Sequence, residues 1–171
     1  IIQGHLDLDP LNATVPDGLV DALLAVGKPA GVLTTDLKRG SLPARDLYEK
    51  LSARVSYRPM WLAWDSLRER SFGDWEGASY STLGFDTVDT VGDYLYRVEQ
   101  PPNGEPLAFV RERAQYVAND YLRAFSDSGY VPIIVTHMCF MNYLLDAFEG
   151  RKDVSEYRVV PNLCGFHVKM D

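Results

Sequence analysis

The sequence predicts an α/β fold built on a mostly parallel central sheet, and three observations indicate this fold class. Two short apolar runs, Ala30–Thr34 and 131–136, have the length and composition of buried strands. Segments in which apolar residues recur at helical spacing follow both runs. No repeat or linker interrupts the 171 residues. Strands that alternate with helices are typical of layered α/β proteins, so we expect residues 1–171 to form one domain.

The first half of the chain predicts two helices and two strands. Residues 1–14 are rich in Asp, Gly and Pro and indicate a loop. Thr14 is expected to cap a helix that has Pro16 and Asp17 in its first turn, and Gly27 is expected to end it. The remaining elements of this half are a strand over Ala30–Thr34, a helix over 36–55 and a strand over 60–64.

The second half predicts three helices and three strands. The pattern is weak over 79–96, where we expect a helix only after Thr87, and the Pro and Gly residues of 100–104 indicate a loop. Apolar and polar residues alternate over 163–170, which predicts a strand with one wet face. The other elements are helices over 105–125 and Met138–Phe148 and strands over 131–136 and 157–160.

Composition and charge disfavour several kinds of partner. The formal net charge of −7, from 17 basic and 24 acidic residues, argues against nucleic acid and anionic membranes as partners. No apolar run approaches the ~20 residues that span a bilayer. Cys139 and Cys164 lie far apart and form no zinc-ligand spacing. We therefore expect free thiols, no metal, no cofactor and a reducing, cytoplasmic location.

Three residues are candidates for chemistry on an anion. His137 ends a buried strand and directly precedes a helix, which is where open α/β sheets bind ligands. Arg39 follows another strand, and Glu69 stands between Arg68 and Arg70. Arginine binds phosphate bidentately, and a carboxylic acid can protonate a leaving oxygen. The alternatives are a histidine satisfied by a backbone carbonyl, an exposed helix arginine and a solvated charge pair.

Several segments in the same order resemble the histidine phosphatase superfamily, in its phosphoglycerate-mutase-like branch. The most specific is Leu67-Arg68-Glu69-Arg70-Ser71-Phe72-Gly73-Asp74-Trp75-Glu76-Gly77, which resembles L-x-E-x-x-F-G-x-W-E-G. Thr35-Asp36-Leu37-Lys38-Arg39-Gly40 with Ala44 is similar to S-D-L-x-R-A-x-x-T-A. The other matches are Gln3-Gly4-His5-Leu6-Asp7 with Pro10-Leu11 to Q-G-x-x-D-x-P-L, Asn103-Gly104-Glu105 to a G-E-S loop, Val135-Thr136-His137 to V-S-H, and Tyr157 to Asn162 to a late P-N turn.

The resemblance implies a three-layer α/β/α sandwich and metal-independent hydrolysis of a small phosphate ester through a phosphohistidine. Glu69 would be the general acid and then the base for water, with a pKa raised by burial or neighbours while Arg68 and Arg70 face elsewhere. Arg39 and His137 would hold the phosphoryl oxygens. Gln3 and Gly4 would contact phosphate or substrate at the mouth of the pocket.

The chain also departs from the family pattern. The R-H-G motif that supplies the attacking histidine is absent, so we expect it upstream of Ile1, on a first strand missing from a chain that is truncated at its N-terminus and inactive as given. Met138 replaces a glycine beside the phosphate, Pro106 replaces the serine of G-E-S, and Gly40 replaces an alanine. The preferred function is phosphomonoester hydrolase. The alternatives are a phosphoglycerate mutase and an inactive member that binds a phosphorylated ligand or a protein, and the oligomeric state stays open.

Overall fold

The computed structural model describes residues 1–10, 12–151 and 156–159. Its strands are β1 (Ala30–Thr34), β2 (Met60–Ala63) and β3 (Val131–Val135). Its α-helices are α1 (Asp17–Leu24), α2 (Lys38–Ser52), α3 (Val88–Arg97), α4 (Leu107–Tyr116), α5 (Leu122–Asp127) and α6 (Met138–Phe148). Of the helices in these residues, none combines the length and the apolar character that crossing a membrane requires.

The sheet is parallel, with β1 between β2 and β3 in the described residues. Val32 is in register with Trp61 on one side and with Ile133 on the other. Every residue of β1 is buried, as expected for the central strand of a parallel sheet. Because all three strands run in the same direction, their carboxyl ends meet at one edge, where α/β proteins bind ligands.

Side chains of β1 alternate between two apolar clusters on opposite faces of the sheet. Val32 packs in a cluster with residues of α1 and α2, among them Val20 and Leu47. Leu33 packs on the other face with residues of α3, α4 and α6, among them Phe140. Helices therefore cover both faces, and the predicted α/β fold with a parallel sheet is confirmed.

Three helix predictions needed correction. The helix predicted over 36–55 spans Lys38–Ser52. The first helix begins at Asp17 after Pro16, not at Thr14, whose backbone N–H is bonded to the Asn12 side chain. The helix predicted over 105–125 begins at Leu107 and is divided by a π-helical turn over Val117–Tyr121. The wider turn keeps Val117, Ala118 and Leu122 buried while the Tyr121 ring packs on Trp64 at 4.6 Å.

The strand predicted over 157–160 is wrong for its described part, because residues 156–159 have no regular secondary structure. Arg158 donates its backbone N–H to Asn142 Oδ1 at 2.8 Å and accepts Asn142 Nδ2 on its carbonyl at 3.1 Å. A side chain of α6 thus takes the hydrogen bonds that a neighbouring strand would supply. Leu11, Val160, Pro161, Asn162, Cys164 and the strand predicted over 163–170 lie outside the described residues.

Candidate active site

The structure brings Arg39, Glu69 and His137 together at the carboxyl edge of the sheet. Arg39 lies in the first turn of α2, which follows β1, and His137 lies between β3 and α6. Glu69 follows β2 through a 3-10 turn over Asp65–Leu67. Each side chain therefore comes from a segment that leaves the same edge of the sheet, as the sequence predicts.

Arg39 and His137 are joined directly. Arg39 Nε donates to His137 Nδ1 at 3.2 Å, so the ring proton of neutral His137 is on Nε2. Burial, followed by the charge of Arg39, lowers the pKa of His137 to about 3. Nε2 is buried and has no hydrogen-bond partner among the described residues. His137 is therefore a neutral imidazole with one unused N–H donor.

The Glu69 carboxylate caps the N-terminus of α6. Its Oε1 accepts the backbone N–H groups of Arg70 and Phe140, both at 2.9 Å, and its Oε2 accepts that of Cys139 at 3.1 Å. Burial raises the pKa of Glu69, although these three N–H donors and Arg39 act in the opposite direction. Oε2 accepts one bond only, so a lone pair is available there for a proton. Glu69 can thus be protonated on Oε2 while it still accepts the three backbone N–H groups.

This cap changes one expectation about the helix N-terminus. The sequence predicts that an anion binds where α6 begins, because N–H groups there are unsatisfied. The N–H groups of Cys139 and Phe140 are already bonded to Glu69. Met138, the first residue of α6, is half-buried next to His137 and accepts Asn142 Nδ2 on its carbonyl at 2.8 Å. The N–H groups of Cys139 and Phe140 are therefore not available to a ligand, and the donors that lie beside this helix end are the side chains of Arg39 and His137.

Arg68 and Arg70 bind other groups, as expected for a Glu69 of raised pKa. Arg68 pairs with Asp36, with Nε at 2.7 Å from Oδ1. Arg70 is fully buried, and its guanidinium donates to the carbonyls of Leu95 and Glu99 at 3.0 Å, with further bonds to the Glu105 carbonyl and the Tyr143 hydroxyl. Arg70 therefore anchors the end of α3 and the following loop, and its charge is committed there.

A tight turn over residues 3–6 closes the site on the side of Arg39. Leu6 N–H donates to the Gln3 carbonyl at 2.8 Å, and Arg39 donates through Nη2 and Nη1 to the carbonyls of Gly4 and Leu6. Gly4 has a φ of +44°, which disfavours any residue with a side chain, and a Cβ there would lie 2.2 Å from Glu76 Oε1 and displace that side chain. Gln3 is exposed and its side chain forms no hydrogen bond with the described residues. The structure thus brings the Gly4 backbone to Arg39 but not the Gln3 amide.

His5 is a site residue that sequence reasoning missed. Its Nε2 donates to the Glu69 carbonyl at 2.8 Å, and the carbonyls on either side of it are the two that Arg39 holds. The available signal was its place inside the Gln3-Gly4-His5 segment, where the resemblance drew attention to the two residues before it.

The loop resembling G-E-S supports the segment that carries Glu69. Glu105 accepts Arg113 Nε on Oε1 at 3.1 Å and Nη2 on Oε2 at 2.8 Å. Arg113 Nη1 in turn donates to the carbonyls of Ser66 and Arg68 at 2.9 Å. A Cβ on Gly73, whose φ is +54°, would lie 2.1 Å from the Pro102 carbonyl oxygen. This close approach accounts for glycine in the Phe72-Gly73 turn.

A cavity of about 760 Å³ lies between α3 and residues 156–159, and none of the three convergent residues lines it. Within the described ranges, no group of three or more His, Cys, Asp or Glu side chains is arranged to hold a metal ion.

Comparisons with known proteins identify the family. A family model described as the histidine phosphatase superfamily (branch 1) matches residues 17–168. The native structure of a mycobacterial glucosyl-3-phosphoglycerate phosphatase, Rv2419c, is 25% identical with a TM-score of 0.56, over 86% of this chain and 72% of that one. Bacillus stearothermophilus YhfR is 21% identical with a TM-score of 0.64, over 94% and 76%, and Mycobacterium tuberculosis Rv3214 is 17% identical with a TM-score of 0.63, over 85% and 69%. Among curated proteins, none matched by sequence. Since the family model covers most of its length, the chain belongs to the histidine phosphatase superfamily, branch 1.

Proposed function

We propose that this protein is a phosphomonoester hydrolase that acts on a small phosphorylated metabolite through a phosphohistidine intermediate. The observation that carries the proposal is the pairing of Arg39 with His137 beside the buried Glu69 carboxyl. The guanidinium of Arg39 and the neutral Nε2–H of His137 are suited to bind the oxygens of a phosphoryl group. A buried carboxyl with a raised pKa is suited to general acid catalysis.

In this proposal His137 binds the phosphoryl group and does not attack it. Its Nδ1 lone pair accepts Arg39 Nε–H, and its Nε2 therefore bears the ring proton. Neither nitrogen has a lone pair free to form a bond to phosphorus. The attacking histidine is accordingly a different one, and we expect it in an Arg-His-Gly segment upstream of Ile1. Its nitrogen forms the bond to phosphorus while the leaving oxygen departs.

Glu69 serves both halves of the reaction. It transfers its proton to the leaving oxygen in the first step, which gives the free alcohol and a phosphohistidine. The resulting carboxylate then takes a proton from water as that water attacks phosphorus, which releases inorganic phosphate and returns both residues to their starting states. The three backbone donors on the carboxylate stabilise it between the two steps.

Arg39 must exchange partners for the phosphoryl group to bind. Its Nη1 and Nη2 donate to the Leu6 and Gly4 carbonyls, and its Nε donates to His137. Phosphoryl oxygens replace one or both carbonyls as acceptors, because an anionic oxygen attracts the guanidinium more strongly than a neutral carbonyl oxygen does and a phosphoryl group can accept two of its N–H groups at once. The turn over residues 3–6 therefore moves with substrate binding in this proposal.

The substrate class is a small soluble phosphate ester, and a mycobacterial relative of this fold is a glucosyl-3-phosphoglycerate phosphatase. The test uses the full-length gene product, with any coding sequence that precedes Ile1. We expect it to release inorganic phosphate from p-nitrophenyl phosphate in the presence of a chelator and to form an acid-labile phosphoprotein. Isomerisation of 3-phosphoglycerate without release identifies a mutase instead, and phosphate binding without turnover identifies an inactive binding protein.

The acid role is tested by Glu69→Gln in the same protein. We expect hydrolysis to fall by on the order of 10²–10⁴, with a larger loss for an alkyl phosphate than for an aryl phosphate, because the poorer leaving group depends more on protonation. Glu112→Gln, on the exposed surface of α4, is the matched control. Equal losses for the two esters would contradict the role of Glu69 as an acid.

A further inference from the structure

Thr35 and Gly40 interlock at the start of α2, directly beside the candidate site. A Cβ built on Gly40 would lie 2.3 Å from Thr35 Cγ2, far inside ordinary contact. Both residues are buried. Thr35 is held in this orientation because its Oγ1 accepts the Leu37 backbone N–H at 3.2 Å. The threonine methyl therefore occupies the space in which a side chain at position 40 would begin.

This contact lies against His137. The same Cβ position on Gly40 is 3.6 Å from His137 Cε1 and 3.7 Å from His137 Nε2. Gly40 also follows Arg39, whose Nε–Nδ1 bond to His137 is 3.2 Å long. A methyl group added at position 40 would have to move about an ångström away from Thr35 Cγ2 to reach ordinary contact distance. The first turn of α2 would move with it, away from the end of β1. An outward shift of that size would lengthen the Arg39–His137 bond beyond hydrogen-bonding distance.

We propose that Thr35 and Gly40 are paired positioning residues, which hold the first turn of α2 at the distance where Arg39 and His137 present their donors to one anion. This inference rests on the proposed function for the identity of the anion, a phosphoryl group. The contact itself is independent of catalysis. A substitution at one position is therefore expected to be compensated by a substitution at the other.

The test compares the wild-type protein with Thr35→Ser, Gly40→Ala and the double variant, all in the full-length protein. Serine keeps the hydroxyl that binds Leu37 and removes the methyl. Gly18→Ala is the matched control, because Gly18 lies in α1 and a Cβ there meets nothing within 4 Å. The dissociation constant of vanadate, a phosphate analogue, is measured for each protein, together with urea unfolding without ligand.

We expect Gly40→Ala to raise the vanadate dissociation constant by about 10- to 100-fold, the scale of a displacement of roughly 1 Å in a site. Its folded-to-unfolded ratio should fall by about tenfold or more through overpacking. Gly18→Ala should remain within about threefold of wild type for vanadate. Thr35→Ser should bind vanadate more weakly than wild type, because the first turn of α2 loses the methyl against which it packs, and the double variant should return to within about threefold of wild type. Nitrogen-15 NMR of the His137 ring should show the wild-type tautomer in the double variant and an altered one in Gly40→Ala.

Two outcomes overturn the inference. One is a Gly40→Ala protein that binds vanadate and unfolds like wild type, and the other is a double variant as impaired as Gly40→Ala. If Gly40→Ala does not fold, a folded double variant supports the interlock and an unfolded one overturns it. A wild-type protein without phosphatase activity would refute the proposed function, while the unfolding measurements would still decide on the contact.

Discussion

Lowering the pH from 7.5 to 5 is expected to destabilise the folded protein through His137. The structure buries this ring with only 8% of its surface exposed and lowers its pKa to about 3. An unfolded chain leaves the same ring in water, where its pKa is 6.5. Between these two values the unfolded state binds a proton that the folded state does not bind. The free energy of unfolding therefore falls as the pH drops below about 6.5.

The magnitude follows from proton linkage. One proton taken up only by the unfolded state changes the free energy of unfolding by about 1.4 kcal/mol per pH unit. From pH 6.5 to pH 5 the contribution of His137 is therefore about 2 kcal/mol. The sign is opposite to that of a histidine that gains a carboxylate partner in the fold, because here a neighbouring arginine and burial both oppose the charge.

The assay is urea unfolding at several pH values for wild type and for His137→Asn. An asparagine side chain offers Arg39 an acceptor near the position of Nδ1 but does not titrate. We expect the variant to lose about 2 kcal/mol less than wild type between pH 7.5 and 5. Other titrating groups are present in both proteins and cancel in the comparison. Equal losses in the two proteins would refute a buried, neutral His137.

Two further substitutions test the groups around this histidine. Arg39→Ala should weaken phosphate and vanadate binding by about 10- to 100-fold, since hydrogen bonds from a charged group contribute about 1.5–3 kcal/mol. Isothermal titration measures the two dissociation constants, and Arg45→Ala, an exposed position on the same helix, is the control. Unchanged binding by Arg39→Ala would contradict the prediction. Gly4→Ala should lower the free energy of unfolding by more than the roughly 1–2 kcal/mol that an alanine costs in the left-handed conformation, because a Cβ at Gly4 overlaps Glu76. Gly27 also has a left-handed backbone, but a Cβ there meets nothing within 4 Å, so Gly27→Ala carries the backbone cost alone. Thermal unfolding of Gly4→Ala and Gly27→Ala measures the difference, and equal losses would show that the overlap with Glu76 is relieved at no cost.

Local patterns were sufficient to predict the elements on which the site stands. The apolar run that forms β1 and the run that includes β3 can be recognised from their own residues, and a helix begins after Thr87, as expected, with the hydroxyl of Thr87 as its cap. A strand was predicted over 157–160, but in its described part Asn142 of α6 satisfies the backbone of Arg158. Composition does not report a partner that lies sixteen residues away.

The site shows the same difference between features that neighbouring residues determine and contacts between distant segments. Arg39, Glu69 and His137 were identified from motifs, because each stands at a fixed distance from a strand or a glycine turn. The cap that Glu69 forms on α6 and the hydrogen bond from His5 to the Glu69 carbonyl were not predicted. Each of these contacts joins residues more than sixty positions apart. Sequence spacing says nothing about the angle at which two such segments meet.

The amino-acid sequence by itself was sufficient to predict the runs that form β1 and β3, the helices that follow them, and the three side chains Arg39, Glu69 and His137 as candidates for the site. Hydrophobic periodicity and turn residues act over a few neighbours, so they can be recognised without coordinates. Only the tertiary structure decided that Arg39 binds His137 across 98 residues, that the histidine is neutral, and that the methyl of Thr35 fills the space beside Gly40. These properties depend on distances of a few ångströms between segments that only the packed sheet and its helices bring together.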